Sequence, residues 1–308
     1  MSQRVLILGW AFALALVAAS AARVSACSQC LCGSPTPPGY LLGDASERLS
    51  YGLEDRYLSK SNVLGDAPGD ELQTEQRVSG TMKLRPIARL ALQARAPYVF
   101  KLNTRQETGA PDASTRSHGL GDADVLARLD VWRFGNLWSR SGSVAAVADV
   151  TAPTGSNDAH DAAGRRLDVH LQPGTGAWSG QVGLAADLAL PSAALSASVM
   201  ARLNGPNARG YHYGDAVLFN LGVARTLHPD WQAAVELNGR SAGRDRTEEG
   251  SRDPNSGGTL LYVAPGLRWA GLRPLALDLT VQVPIAQALN GIQTEKTTGR
   301  LAIVWVAR

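Results

Sequence analysis

The most regular part of the chain lies between Ala216 and Pro284. There Trp231, Ala233, Val235 and Leu237 fall on one side of an alternating pattern, and Gln232, Glu236, Asn238 and Arg240 on the other. Farther on, Leu275, Leu277, Leu279, Val281 and Val283 oppose Asp278, Thr280 and Gln282. A period of two is the mark of a strand with two unlike faces. Four such segments follow one another: Val217 to Arg225, Trp231 to Arg240, Thr259 to Trp269 and Leu275 to Pro284. Each is about ten residues, the length a tilted strand needs to cross a bilayer. Their connections alternate as well. Two are tight and carry Pro229 and Pro274, whereas Ser241 to Gly258 is long and polar. Short turns at one end and long loops at the other are the pattern of an outer-membrane barrel.

The same pattern extends to both sides. A first strand is expected at Glu47 to Leu58, with Leu49, Tyr51, Leu53 and Tyr57 opposite Arg48, Ser50, Gly52, Glu54 and Arg56; Asp55 breaks its apolar row. Strands follow at Glu71 to Arg85, Ile87 to Lys101, Leu120 to Phe134 and Ser143 to Thr151, then two more flanking Leu190-Pro191-Ser192. The last is Gly299 to Val306. Tyr98 and Phe100, and Trp132, Phe134 and Trp138, end their rows where an interfacial aromatic girdle belongs. Long polar loops are expected at Asn103 to Gly119, Pro153 to Ala177 and Ala286 to Thr298. About 12 strands, five tight turns and six long loops define an all-β, antiparallel, up-and-down transmembrane barrel with periplasmic turns and extracellular loops. A soluble β-sandwich would not need long loops at one end only.

The N-terminus changes the picture by adding an export signal. Arg4 precedes the apolar stretch Val5 to Ala22, and Val24-Ser25-Ala26 supplies the small residues of a cleavage site. The expected division is a signal peptide at 1–26, a Cys- and Pro-rich periplasmic leader at 27–45 and the barrel at 46–308. All three cysteines, Cys27, Cys30 and Cys32, lie in that leader. Three readings stay open for them. Val24 to Cys27 resembles a lipobox, so Cys27 is a candidate for acylation. The CxxCxC spacing is a candidate soft-metal site with three ligands. One disulfide with a spare thiol in a flexible leader is the third. The net charge of +3 is scattered along the strands without a basic patch, which gives no signal for nucleic acid.

The polar row of each strand contains charges of both signs. Arg48, Arg56, Arg77, Arg85, Asp124, Arg128, Asp130, Arg202, Glu236 and Arg240 are the candidates for lining a wet lumen, because each would cost a few kcal/mol on the lipid side. A 12-stranded barrel is wider than one filled by its own side chains and narrower than a 16-stranded porin. The expected role is a narrow channel or transporter for small solutes, without a cofactor and without enzymatic activity. Its expected partners are outer-membrane lipids, a small solute and the outer-membrane barrel assembly machinery. One alternative is metal handling through Cys27, Cys30 and Cys32. Another is a lipid hydrolase, but His118, His160, His170, His212 and His228 all fall in predicted loops or turns without an evident serine partner.

Several short motifs sit at strand ends. They are Gly119-Leu-Gly-Asp-Ala-Asp124, Pro153-Thr-Gly155, Leu171-Gln-Pro-Gly-Thr-Gly176, Gly214-Asp215, Pro254-Asn-Ser-Gly-Gly258, Gln282-Val-Pro284 and Asn290-Gly291. In this order they resemble a family of bacterial outer-membrane β-barrels named after a meta-pathway of phenol degradation. The resemblance covers most of the chain from the fourth strand onward, and more loosely the earlier part, and implies a transport barrel. One departure is the end of the last strand, Trp305-Val-Ala-Arg308, in place of a terminal aromatic.

Overall fold

The computed structural model describes residues 48–61, 70–106, 113–136 and 140–307. They form fourteen strands: β1 Leu49–Ser61, β2 Asp70–Ile87, β3 Leu90–Gln106, β4 Ala113–Leu120, β5 Ala123–Asn136, β6 Arg140–Ala152, β7 Ser179–Ala189, β8 Ala194–Asn204, β9 Ala216–His228, β10 Trp231–Ala242, β11 Gly258–Leu272, β12 Leu275–Leu289, β13 Thr294–Glu295 and β14 Thr298–Ala307. Both β4 and β5 pair with β3, and both β13 and β14 pair with β1. Fourteen strands less these two continuations make twelve staves. Every pairing is antiparallel, and β1 closes the ring by pairing with β14 on one side and β2 on the other. Closure satisfies the backbone without leaving an edge, as a strand structure in hydrocarbon requires.

The two faces follow from the sequence alternation. Leu53, Leu184 and Leu279 point out and are exposed to roughly half their surface, whereas Arg56, Arg77, Asp124, Arg202 and Glu236 point in and are buried. Aromatics gather at two levels. On the side of the short turns, Tyr51 stacks on Trp305 at 5.8 Å, Trp132 meets Phe134 at 5.0 Å, and Trp231 pairs with Trp269 across β10 and β11. On the side of the long loops, Tyr98 and Phe100 lie against His118. Asp55 does sit on the outer face, and the strand register is not at fault. The register places it opposite Val78, which is itself opposite Tyr98, so Asp55 stands level with the outer aromatics. There Gln76 Nε2 donates to its carboxylate at 3.0 Å. At this interfacial level a charge costs far less than at mid-membrane.

The strands reach farther than their apolar rows suggested. β12 continues to Leu289, and Thr294–Glu295 pairs with the end of β1, inside the span expected to be one loop. β3 and β4 form a hairpin that extends to Gln106 and from Ala113, so His118 lies in a strand rather than a loop. Above the membrane, strand pairing no longer needs an apolar face, and the alternation that marks a bilayer strand fades. The leader with Cys27, Cys30 and Cys32, and Trp138, lie outside the described residues.

The interior is not uniformly polar. Leu126 of β5, Val147 of β6, Ala185 of β7, Met200 of β8 and Leu218 of β9 point inward side by side. Val169, Tyr211 and Tyr213 from the loops complete this apolar patch. Charged residues occupy much of the remaining wall, as at Arg56, Arg77, Lys83 and Asp278.

The lipid-facing assignment predicts a directional effect. Leu184→Arg, at the middle of β7 on the outer face, should destabilise the barrel in lipid vesicles by about 2–4 kcal/mol. Reversible denaturant unfolding measures this, and an unchanged midpoint would remove Leu184 from the hydrocarbon.

Candidate functional site

The stave made of β4 and β5 is interrupted at Gly121 and Asp122. The interruption turns the Asp122 carboxylate into the barrel, where it is buried. Its Oδ1 accepts from the backbone N–H of Gly155 at 2.9 Å. Its Oδ2 accepts from the backbone N–H of Thr175 at 2.7 Å and from the Thr175 hydroxyl at 2.6 Å. One carboxylate therefore joins three of the glycine-rich motifs. Glycine is required at the crossing. A Cβ on Gly174 would lie 2.6 Å from Gly155 backbone atoms, and one on Gly155 would lie 2.7 Å from Gly121 and Gly174 backbone atoms. Gly174 N–H also donates to Ser156 C=O at 2.8 Å. The two ends of the loop from 153 to 178 are thus clamped together.

Between these ends the loop enters the lumen. Leu167, Val169, His170, Leu171 and Gln172 are all buried. A short 3-10 turn spans Val169–Leu171, and Asp168 caps it by accepting from His170 N–H at 2.7 Å. The turn is held against the wall by its carbonyls. His170 C=O accepts from Gln73 Nε2 and from Lys101 Nζ, both at 3.1 Å, and Leu171 C=O accepts from the Ser117 hydroxyl. Gln172 fastens the rest of the loop to itself, donating to Ala159 and Leu167 carbonyls at 3.1 and 2.8 Å and accepting from Ala159 N–H at 2.7 Å. The cavity left beside it, lined by Arg77, Lys101, Asp122, Gln172, Thr175 and Arg202 among others, measures about 30 Å³. That is room for no more than a few waters.

His170 lies in the long loop where it was expected, and it is buried at the centre of this arrangement. Its Nε2 lies 3.3 Å from the Tyr211 hydroxyl and 3.5 Å from Asp253 Oδ2. Burial alone would lower its pKa; the hydrogen bond to Asp253 and the carboxylates of Asp168 and Asp245 outweigh that and raise it. Asp253 is correspondingly lowered: burial opposes the shift, and the contacts with His170 and the Asn255 N–H prevail.

Of the ten lumen candidates, Arg56, Arg77, Asp124, Arg128, Asp130, Arg202, Glu236 and Arg240 are buried on the inner face. Arg85 is half-buried beside the β2–β3 turn, donating to Ala88 C=O at 3.3 Å, and Arg48 is exposed where β1 begins. Most of the buried charges are cross-braced. Arg95 holds Asp124 with two bonds at 2.8 and 3.1 Å, Arg128 contacts Asp130 at 3.3 Å and also Asp187, and Arg240 reaches Glu295 at 3.0 Å. Glu295 from β13 also accepts from the Tyr262 hydroxyl at 2.6 Å. Arg202 donates to Asn204 and Ser179 at 3.2 and 3.1 Å, and Glu236 accepts from Asn220 at 3.1 Å.

One row is different. Arg56 lies directly opposite Arg77 on β2 and Arg300 on β14. Like charges facing one another across strands repel. Arg77 is paired with Glu75 at 2.7 Å and Arg300 with Glu54 at 2.8 Å. Arg56 Nε has no hydrogen-bond partner among the described residues. The middle of this row is a cation between two cations, with Glu54 the carboxylate nearest in sequence.

Sequence reasoning missed Asp122, Thr175, Gln172, Gln73 and Lys101 as a working set. A signal existed in the motifs. An Asp between Gly121 and Ala123 at a strand start, with no tight turn to explain it, asks for a distant partner. The inner apolar patch was missed because inner rows were read only through their charges.

Comparison with known proteins places the chain. The family model described as "Putative MetA-pathway of phenol degradation" matches residues 65–288, which includes strands β2 and β3 ahead of the motifs. Among solved structures, an outer membrane channel from Pseudomonas putida F1 aligns with a TM-score of 0.66 at 16% identity, over 88% of this chain and 100% of that one. Weaker likenesses, too weak to bear on function, are to the transport unit of the autotransporter AIDA-I from Escherichia coli (TM-score 0.48, 9% identity, 88% and 95% covered) and a mutant TodX monoaromatic hydrocarbon channel (0.46, 11%, 87% and 92%). No curated protein sequence matches significantly. The match spans well over half of the chain, and the protein is an outer-membrane β-barrel belonging to the family described as "Putative MetA-pathway of phenol degradation".

Proposed function

We propose that this barrel is a gated channel that passes small solutes across the outer membrane and performs no chemistry on them. The observation that carries the reading is the loop from 153 to 178, folded into the lumen and clamped at Asp122. A barrel that only needed stability would gain little from tying a long polar loop through one buried carboxylate. A barrel that must close and open needs a plug held by a small number of bonds. The likeness of the fold to an outer membrane channel from Pseudomonas putida F1 supports the same reading.

The arginine row supplies the selectivity. Arg77, Arg56 and Arg300 form a cationic stripe across β2, β1 and β14, with Arg56 only partly balanced. In a narrow lumen with low-dielectric walls such a stripe concentrates anions. Arg77 also lines the cavity beside the plug. Small solutes carrying a carboxylate, or another compact negative group, fit this wall better than cations do.

Two measurements in planar bilayers follow. Asp122→Ala removes three hydrogen bonds to a charged acceptor, each worth about 1.5–3 kcal/mol. Open-channel occupancy should rise at least tenfold, and Gly174→Ala should act in the same direction. Unchanged gating in both variants would remove the clamp from the account. Separately, Arg56→Ala combined with Arg77→Ala should move the reversal potential in a salt gradient toward cation selectivity. An unaltered reversal potential would mean that the row does not face the conducting path.

A further inference from the structure

Side chains from three different loops converge on the outer side of the lumen. His170 comes from the inward loop, Tyr211 from the connection between β8 and β9, and Asp245 and Asp253 from the connection between β10 and β11. One ligand atom each of His170, Asp245 and Asp253 lies within 4.8 Å of the others. His170 and Asp245 are buried, and Asp253 is half-buried. Among the described residues this is the one such cluster.

The spacings are informative. His170 Nε2 stands 3.5 Å from Asp253 Oδ2 and 3.3 Å from the Tyr211 hydroxyl. Both are long for a nitrogen–oxygen hydrogen bond, which prefers about 2.7–3.2 Å. The first of them, between two members of the cluster, matches the edge of a tetrahedron around an ion with bonds of about 2.0–2.2 Å. The Tyr211 hydroxyl donates to Asp245 Oδ2 at 2.8 Å, and Asp245 Oδ1 accepts from Gly214 N–H at 2.7 Å, so the second carboxylate is already oriented. A hydrogen-bonded partner that fixes a ligating carboxylate is a usual feature of metal centres. Asp168 adds a third carboxylate near His170; Arg244 near Asp253 and Lys101, bonded to the His170 carbonyl, are cations beside the cluster.

We propose that His170, Asp245 and Asp253 form a binding site for a divalent transition-metal ion, with Zn2+ the best-fitting member. One imidazole and two carboxylates suit zinc. The set lacks the thiolates that select copper(I) and the six or more oxygens that calcium takes. The fourth position falls to water, with the Tyr211 hydroxyl holding Asp245 from outside the coordination shell. The bound ion would fasten the plug to the loop between β10 and β11 and hold the channel closed. That consequence rests on the gating reading above; the site itself does not.

The test uses the exported full-length barrel with Cys27, Cys30 and Cys32 replaced by serine, so that leader thiols do not bind the probe. Calorimetric titration with Zn2+ should give one ion per barrel. X-ray absorption should show one imidazole nitrogen and oxygen neighbours at about 2.0–2.2 Å. Asp253→Asn and His170→Gln should each weaken binding at least tenfold. Absence of stoichiometric binding, a shell without imidazole, or affinity in both variants unchanged from the parent barrel would each overturn the proposal. If His170→Gln fails to fold, Asp253→Asn and the absorption spectrum decide. Stoichiometric binding at this site with unchanged conductance would uphold the metal site and refute only the closing role.

Discussion

Hydrocarbon offers no water to a backbone amide, and that constraint shapes everything else in this molecule. A strand in lipid must pair on both edges, so the sheet closes, and β1 meets both β14 and β2. Closure fixes a period of two along every stave, with an apolar row for lipid and another row for the inside. The inner row then has a problem of its own, since charges that face inward lose part of their water. Most of them solve it in pairs, as Arg95 does with Asp124 and Arg300 with Glu54.

The loop from 153 to 178 follows from the same logic. A barrel of twelve staves is too wide for its own side chains to fill, and something else must occupy the space if it is to close. The chain uses backbone from its longest loop, whose carbonyls need donors once they leave water. Gln73, Lys101 and Ser117 supply them from β2, β3 and β4. Asp122 meets the opposite need, accepting from two half-buried backbone N–H groups at the loop ends. The plug is therefore held by directional bonds to its carbonyls and its two ends, with Val169 packed on the inner apolar patch as well. Leaving the lumen would break these bonds and uncover Leu167, Val169 and Leu171.

The barrel was legible because lipid contact writes itself into the sequence at every second residue. Leu275 to Val283 could belong to little else. Aromatic positions such as Trp132 and Tyr98 were legible for the same reason. The site was only half legible. The inner charges announced themselves, but the outer face could not say which would pair, and Arg56, Arg77 and Arg300 became a row only through the register of three strands. The ends of β3, β4 and β12 ran past their apolar rows because pairing above the membrane needs no lipid face. His170 and Asp122 escaped because their roles depend on residues more than thirty positions away, Tyr211 for the one and Gly155 for the other. A Gly-rich motif shows that backbone must come close to something, and only the fold shows to what.

We propose that the inward loop controls passage, and its geometry offers a direct test. Gly174 N–H already bonds to Ser156 C=O, so the loop can be cut at its neck with both ends in place. The measurement is the single-channel conductance of a variant in which residues 157–173 are replaced by Asn-Gly, a two-residue link suited to tight antiparallel turns. A persistently open channel, with conductance several-fold above that of the intact protein, is the predicted result. A folded barrel whose conductance and open time match the intact protein would show that the loop is not the gate.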